Sequence, residues 1–245
     1  MHNGAIMASE LAHLVVTGQP YPVVRLTGVL DAVSAPDVRS ALLEVLSGQP
    51  KAVVVDVTEL QVADPDLAGV LRDVANETAD WPAAHVMLFA GQDGETWSGT
   101  GLPVWSDPQD AFSALGAPDD RGQLRLDLEP VVGAARRSRE LVTEACGRWE
   151  IPDVAGPACI VVTEMVNNVV AHAHTSMTVL LARYDETMSV AVRDHSTGVP
   201  RFTGPVAPSS YGGRGLLLID SIALRWGSLK LNDGKVVWAV LQDAP

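Results

Sequence analysis

The chain has 245 residues, 47% of them hydrophobic, and a formal net charge of −13 at pH 7. That length and apolar fraction allow two ordinary hydrophobic cores. The acidic first half of the chain argues against direct binding to nucleic acid or to an anionic membrane, which needs clustered Lys and Arg. The imbalance is local: residues 1–118 carry a net −11 and residues 119–245 a net −2, so the two halves are expected to meet different partners.

In chain order, Met1 to Glu10 has neither the basic nor the apolar region of a signal peptide. Leu14-Val15-Val16 and Val23-Val24-Arg25-Leu26 flank Gly18-Gln19-Pro20 and predict a strand pair. Ser34 is placed to cap a helix that has Pro36 in its first turn and runs to Leu46. Ala52 to Asp56 is a buried-type strand, followed by a helix from Pro65 to about Val74 and a strand from His85 to Phe89. A helical turn near Asp93 to Ser98 and a helix from Pro108 to Leu115, capped by Asp107, complete this half. Strands alternating with helices imply an α/β layer.

The join, Gly116 to Gly122, is rich in turn formers. The organisation expected is therefore a domain over 11–117, a linker over 118–122 and a second domain over 123–245. The second opens with a strand at Leu124 to Leu128 and a helix from about Val131 to Trp149, partly lined by Arg136, Arg137 and Arg139. Strands Thr178 to Tyr184 and Met188 to Asp194 bracket a turn at Asp185-Glu186. Residues 195–212 then read as a lid-like loop. Cys146 and Cys159 lie in helical patterns with neither metal nor disulfide spacing. No segment approaches the ~18 apolar residues of a membrane span, so the expected location is the cytoplasm.

The most informative stretch is Glu164-Met165-Val166-Asn167-Asn168-Val169-Val170-Ala171-His172-Ala173. At about 100° per residue, Glu164, Asn167, Asn168 and His172 share one stripe, opposite Cys159, Val162, Val166, Val169 and Val170. A carboxylate and an amide one turn apart suit a proton acceptor beside an oxygen ligand for a hard cation such as Mg²⁺. They also suit a half-buried helix whose Glu and Asn satisfy each other. Val190 to Asp194 reads as a strand ending in an acid, before a loop containing Gly198. Gly212-Gly213-Arg214-Gly215-Leu216 then opens an apolar helix, where backbone N–H groups can hold phosphate. His172 and His174 point about 200° apart on a helix and do not make a zinc pair. Asp194-His195-Ser196 cannot form a hydrolytic relay from adjacent side chains.

The order of these segments resembles the N box and the two glycine boxes of the GHKL ATPase superfamily. It is most similar to the anti-sigma-factor serine kinases and their actinobacterial relatives. The resemblance covers roughly residues 122 to 241 and includes Arg225-Trp226-Gly227 and Gly234-Lys235-Val236-Val237-Trp238. It implies a Bergerat-type α/β sandwich, a mixed sheet with helices on one face, that binds ATP and Mg²⁺. Carried over by position, Glu164 is the general base and Asn168 the Mg²⁺ ligand. Asp194 binds the adenine amino group, and Gly198 gives the base room. Gly213, Arg214 and Gly215 face the phosphates, and Ala171, His172 and Leu216 complete the ATP-binding set. Ser196 stands where the family often has a glycine.

Residues 11 to 117 resemble a STAS domain, the fold of anti-anti-sigma factors, in layout and in Val53-Val54-Val55-Asp56-Val57-Thr58 before Leu60. The family places a phosphoaccepting serine at the start of the second helix. Here the run is Asp64-Pro65-Asp66-Leu67-Ala68, with Asp66 at the acceptor position. An aspartate cannot become a stable phosphoserine, yet it places a negative charge near a helix N-terminus. Asp66 is thus a permanent mimic, a departure from the phosphoswitch, or an ordinary first-turn residue.

Together the resemblances imply a two-domain α/β signalling and transcription regulator that phosphorylates Ser or Thr of a STAS-type anti-anti-sigma partner. The alternative is a catalytically idle, ATP-dependent binding module that captures a sigma factor or a STAS protein. A homodimer is compatible with either. A sensor histidine kinase needs an acceptor His on an upstream helix, and His13 and His85 lie in strand contexts.

Overall fold

Apolar residues in the first half of the chain close one five-stranded sheet, and those in the second half close another. The computed structural model describes residues 11–16, 18–117, 122–184, 187–198 and 214–242. They fall into two units, Met1–Pro118 and Asp119–Pro245.

In the first unit the elements are β1 (Ala12–Val16), β2 (Val23–Leu30), α1 (Ala35–Leu46), β3 (Ala52–Val62), α2 (Gly69–Glu77), β4 (His85–Phe89), α3 (Gly94–Trp97), β5 (Val104–Trp105) and α4 (Pro108–Leu115). The strands lie in sequence order. β1 and β2 form the expected antiparallel pair, and β2 through β5 run parallel. Leu26, Leu30, Val38, Leu42, Val53, Val55, Leu71, Val74 and Leu88 are fully buried. Tyr21 stacks on Phe112 at 6.5 Å and donates its hydroxyl to the Leu115 carbonyl, tying α4 to the approach of β2.

Three local features differ from the sequence expectation. Ser34 precedes α1, but its hydroxyl makes no cap; it donates to the Val29 carbonyl and accepts from the Asp31 N–H. The strand expected to end at Asp56 runs on to Val62. Asp56 is buried and faces Arg25 across the parallel pair, accepting from its Nε at 2.9 Å and from the Thr58 hydroxyl at 2.6 Å. Satisfied in this way, an acid need not end a strand. Pro65–Ala68 is a 3₁₀ turn, and α2 begins only at Gly69. Asp64 caps that turn by accepting from the Asp66 N–H at 3.1 Å, while Asp107 caps α4 as expected.

The second unit contains β6 (Gln123–Leu128), α5 (Ala134–Trp149), α6 (Ala155–Asn168), a π-helical turn (Val169–Ala173), β7 (Met177–Tyr184), β8 (Thr187–Asp194), α7 (Arg214–Ile222), β9 (Arg225–Leu231) and β10 (Gly234–Gln242). Its strand order is β6-β7-β8-β10-β9. Every described pair is antiparallel, where a mixed sheet was expected. Two residues separate β7 from β8 and two separate β9 from β10, and strands joined by so short a connection can pair only antiparallel. α5 starts three residues later than expected because Gly133 is left-handed, at φ 104°.

α6 lies between α5 and α7, against β8 and β10. Its Val161, Val162, Met165 and Val166 are buried with Val179, Val190, Val192, Ile219 and Ala239. Among the described residues, the continuous segment Pro152–Ala173 is long and apolar enough to cross a membrane, at 22 residues and mean hydropathy 1.5. This corrects the expectation that no segment comes near that limit. Glu164, Asn167 and Asn168 interrupt the apolar run without lowering its mean enough. Those apolar side chains are instead taken up by the core of this unit. Neither Cys146 nor Cys159 is in a disulfide, and Cys146 donates to the Met188 sulfur at 3.7 Å.

Asp56→Ala removes the shared acceptor of Arg25 and Thr58 from a buried position. It should destabilise the first unit by about 1–3 kcal/mol, read as a lower urea midpoint.

Candidate functional site

The site begins where α6 changes pitch. After Asn168 the backbone widens into the π turn and ends at His174, left-handed at φ 55°. Such a turn at the end of an otherwise regular helix often marks a functional position. It rotates Ala171 outward: Ala171 is exposed and does not line the cavity beside it. Asn168 and His172 do line it.

That cavity, of about 320 Å³, lies within the second unit between α6, the end of β8, the start of β10 and the start of α7. Its apolar walls are Met165, Val169, Val192, Leu216 and Val237. The polar groups are few: Asn168, His172, Asp194, Ser196 and Lys235. An apolar cavity of this size with a few convergent polar groups is the usual form of a small-molecule site.

Asp194 is only 2% exposed. Its Oδ1 accepts from the Ser196 N–H at 2.8 Å and from Lys235 Nζ at 2.9 Å. Lys235 also donates to the Ser196 carbonyl at 3.2 Å. The two charged residues stand directly opposite each other in the β8–β10 pairing. Their side chains are 3% and 13% exposed. A carboxylate held out of water in this way depends on its partner for compensation.

Two glycines set how closely the elements approach. A Cβ on Gly234 would overlap the Asp194 carbonyl oxygen and come within 2.8 Å of His195 Cα. Only glycine lets β10 start this close to the end of β8. A Cβ on Gly215 would stand 2.6 Å from Glu164 Oε2, so the carboxylate of α6 lies against the first turn of α7. Glu164 itself is half-buried and does not line the described cavity. By contrast, a Cβ on Gly198 would meet only Ser196 Oγ, at an ordinary 3.4 Å.

Among the expected site residues the cavity thus gathers Asn168, His172, Asp194, Gly198, Gly215 and Leu216, with Glu164 behind Gly215. Gly213 lies outside the described residues, as does the side chain of Arg214, whose backbone opens α7. Most of the expected lid, 199–212, is also outside them. Sequence reasoning assigned no role to Met165, Val169, Ala173, Val192, Ser196, Lys235 or Val237, which complete the lining. For Lys235 a signal existed: a lone cation after a glycine, at the head of an otherwise apolar strand. No group of three or more metal-ligating side chains occurs among the described residues.

Beside the cavity, Asp233 sits in the turn before Gly234. Burial works against its charge, but the Arg193 guanidinium, which bonds both its oxygens at 3.0 and 3.1 Å, and then His195 hold its carboxyl below the ordinary range. A depressed folded-state value gives stability that is present above the unfolded carboxylate pKa. It is lost as pH falls through the folded value. Asp233→Asn should therefore lower the melting temperature at neutral pH, and the gap from wild type should close as pH falls below about 4, which flattens the acid side of the melting temperature–pH profile.

The glycines give a paired test. Gly234→Ala forces backbone atoms apart and should cost about 1–3 kcal/mol. Gly215→Ala meets only the tip of a flexible side chain and gains helix propensity, so it should stay within about 1 kcal/mol of wild type. Urea denaturation of both variants checks the order.

Residues 128–241 match the family described as histidine kinase-like ATPase domain. The second unit thus carries such a domain, which implies ATP binding and, at a coarse level, a kinase-type ATP-using enzyme. No curated protein matches the chain. Solved structures similar to it include an anti-sigma factor antagonist from Mycobacterium paratuberculosis, at 21% identity and TM-score 0.36, covering 43% of this chain and 93% of that one. A variant of RsbS from Moorella thermoacetica matches at 23% identity and TM-score 0.34, covering 44% and 97%. The histidine kinase domain of a blue-light activated histidine kinase from Erythrobacter litoralis matches at 18% identity and TM-score 0.30, covering 45% and 60%.

Proposed function

We propose that the protein is a cytoplasmic regulator that binds Mg-ATP in its second unit and phosphorylates Ser or Thr on a STAS-type partner, in a pathway that controls a sigma factor. The observation that carries this reading is the convergence of Asp194, Asn168 and Gly215 on one apolar-walled cavity, with Glu164 held against Gly215. The match of residues 128–241 supports the nucleotide. The order of motifs supports the kinase subclass.

The residues present fit a purine base. Met165, Val169, Val192, Leu216 and Val237 supply apolar walls, and Asp194 is a buried acceptor for an exocyclic amino group. Asn168 would give its amide oxygen to Mg²⁺, and Gly213, Arg214 and Gly215 would face the phosphates. Bound Mg-ATP supplies the phosphoryl group and the cation that offsets its charge. Glu164 would accept the proton of the attacking hydroxyl, a role supported by its contact with Gly215, which would face the phosphates. His172 lies at the cavity wall beyond Asn168.

The first unit is read as a STAS-like domain that no longer accepts phosphate at the usual position, with Asp66 a permanent mimic of the phosphorylated form or an ordinary turn residue. Asp66 is exposed in the 3₁₀ turn before α2 and bonds through its own N–H to Asp64. It offers a carboxylate where an acceptor serine would be. The substrate is therefore a separate protein, either a STAS-type anti-anti-sigma factor or another partner of the same pathway.

Glu164→Gln decides between an active kinase and an idle binding module. It should leave ATP affinity within a few-fold and lower phosphotransfer to candidate STAS proteins by about 10²-fold or more, followed with labelled ATP. Asp194→Asn should weaken ATP selectively in calorimetry. No binding of ATP at millimolar concentration would overturn the reading. Wild-type protein incubated with ATP should carry no phosphate on residues 60–70 by mass spectrometry, and Asp66→Ser should restore acceptance only in part, because Pro65 and Leu67 also differ from the usual context.

A further inference from the structure

The charged pair at the floor of the cavity is more than a structural contact. A lone buried carboxylate reads a purine in one way: it accepts from an amino group and rejects an oxygen. Here Asp194 does not stand alone. Lys235 Nζ lies 2.9 Å from Asp194 Oδ1 and lines the same cavity. An ammonium carries three N–H donors. The Asp194 carboxylate and the Ser196 carbonyl take two of them. Among the described residues the third has no protein acceptor and remains for a ligand.

We propose that Lys235 is a base-reading residue which, beside Asp194, lets the cavity accept 6-oxopurine as well as 6-aminopurine nucleotides. This rests on the nucleotide-binding reading above and extends it to selectivity. Neighbouring positions 1 and 6 of a purine carry one donor and one acceptor. In a 6-aminopurine the donor is the amino group and the acceptor is the ring nitrogen. In a 6-oxopurine the order is exchanged: the acceptor is the oxygen and the ring nitrogen carries the hydrogen. The site offers a carboxylate and an ammonium side by side, so each base finds one acceptor and one donor.

The exchange of order is absorbed by Lys235. Its charge sits on a flexible four-carbon stem and donates in several directions, whereas Asp194 is fixed by the Ser196 N–H. With a 6-aminopurine, Asp194 takes the amino group and Lys235 donates to the ring nitrogen. With a 6-oxopurine, Lys235 donates to the oxygen and so removes the repulsion that the carboxylate alone would exert. The apolar walls Val192, Val237 and Leu216 offer no side-chain acceptor of their own. In such surroundings a charge-assisted hydrogen bond counts for more than it does in water.

The test compares ADP with IDP, which differ at positions 1 and 6 only, by calorimetry on the full chain. Wild type should bind IDP within about tenfold of ADP. Lys235→Met should weaken IDP by about 10- to 100-fold more than ADP, and Lys235→Gln, which keeps a neutral donor, should fall between. The ratio of the two affinities is read, so a general loss of stability does not imitate the effect. If wild type binds ADP but IDP more than about 100-fold less tightly, the proposal fails and the nucleotide reading stands. It also fails if Lys235→Met lowers both equally. If wild type binds neither, both readings fall. The wild-type ratio needs no variant and decides the matter even where the substituted proteins do not fold.

Discussion

The second unit depends on one close approach, the passage of the β10 start across the end of β8. Gly234 allows it, because any side chain there would occupy the place of the Asp194 carbonyl. That proximity brings Lys235 opposite Asp194 and gives a carboxyl group that is only 2% exposed a cationic partner. A buried acid without a partner would be neutralised or expelled. The cavity floor is therefore a consequence of strand register, and register is fixed by a glycine that carries no chemistry of its own.

The opposite wall follows from a second close approach. α6 and α7 touch where Gly215 leaves room for the Glu164 carboxylate. One residue pair thus couples the helix that carries the acid–amide stripe to the helix that opens at the cavity edge. The π turn after Asn168 completes the geometry. It lets α6 stay regular where its Val161, Val162 and Val166 fill the core, then re-aims the chain so that Val169, His172 and Ala173 reach the cavity. The core and the site are served by different stretches of the same helical segment.

Much of this was legible in the residues, and what was not has a common cause. The stripe of Glu164, Asn168 and His172, the acid ending β8 and the glycine at α7 are local patterns, and local patterns survive into the fold. Lys235 stood out as a lone cation, but its partner was not legible because the contact depends on pairing two strands and joins residues 41 apart in the chain. The exposure of Ala171 was not legible because a helical wheel assumes one pitch throughout. Likewise, Asp56 read as a strand end on its own. Only its parallel neighbour Arg25, 31 residues away, explains why β3 continues. Among these residues, periodicity reported which face was apolar, and the cationic partner of each buried acid came from the other strand.

The same distinction applies to Asp66. Sequence alone set it at the start of a helix, where a negative charge would interact with the helix dipole. The structure instead inserts a 3₁₀ turn before Gly69, capped by Asp64, so that Asp66 stands exposed ahead of α2. An exposed carboxylate in that turn is hydrated, and its interaction with the helix that follows is screened by salt. A permanent phosphate mimic has to act through surface charge presented to a partner, since no bond within the domain depends on the Asp66 side chain among the described contacts. The first unit is already strongly acidic, with a net −11 over residues 1–118. One more fixed charge there changes what the surface repels more than what the fold prefers. If Asp66 has the role of a fixed phosphate mimic, that role has to be exerted on a partner's surface and not on the stability of its own domain.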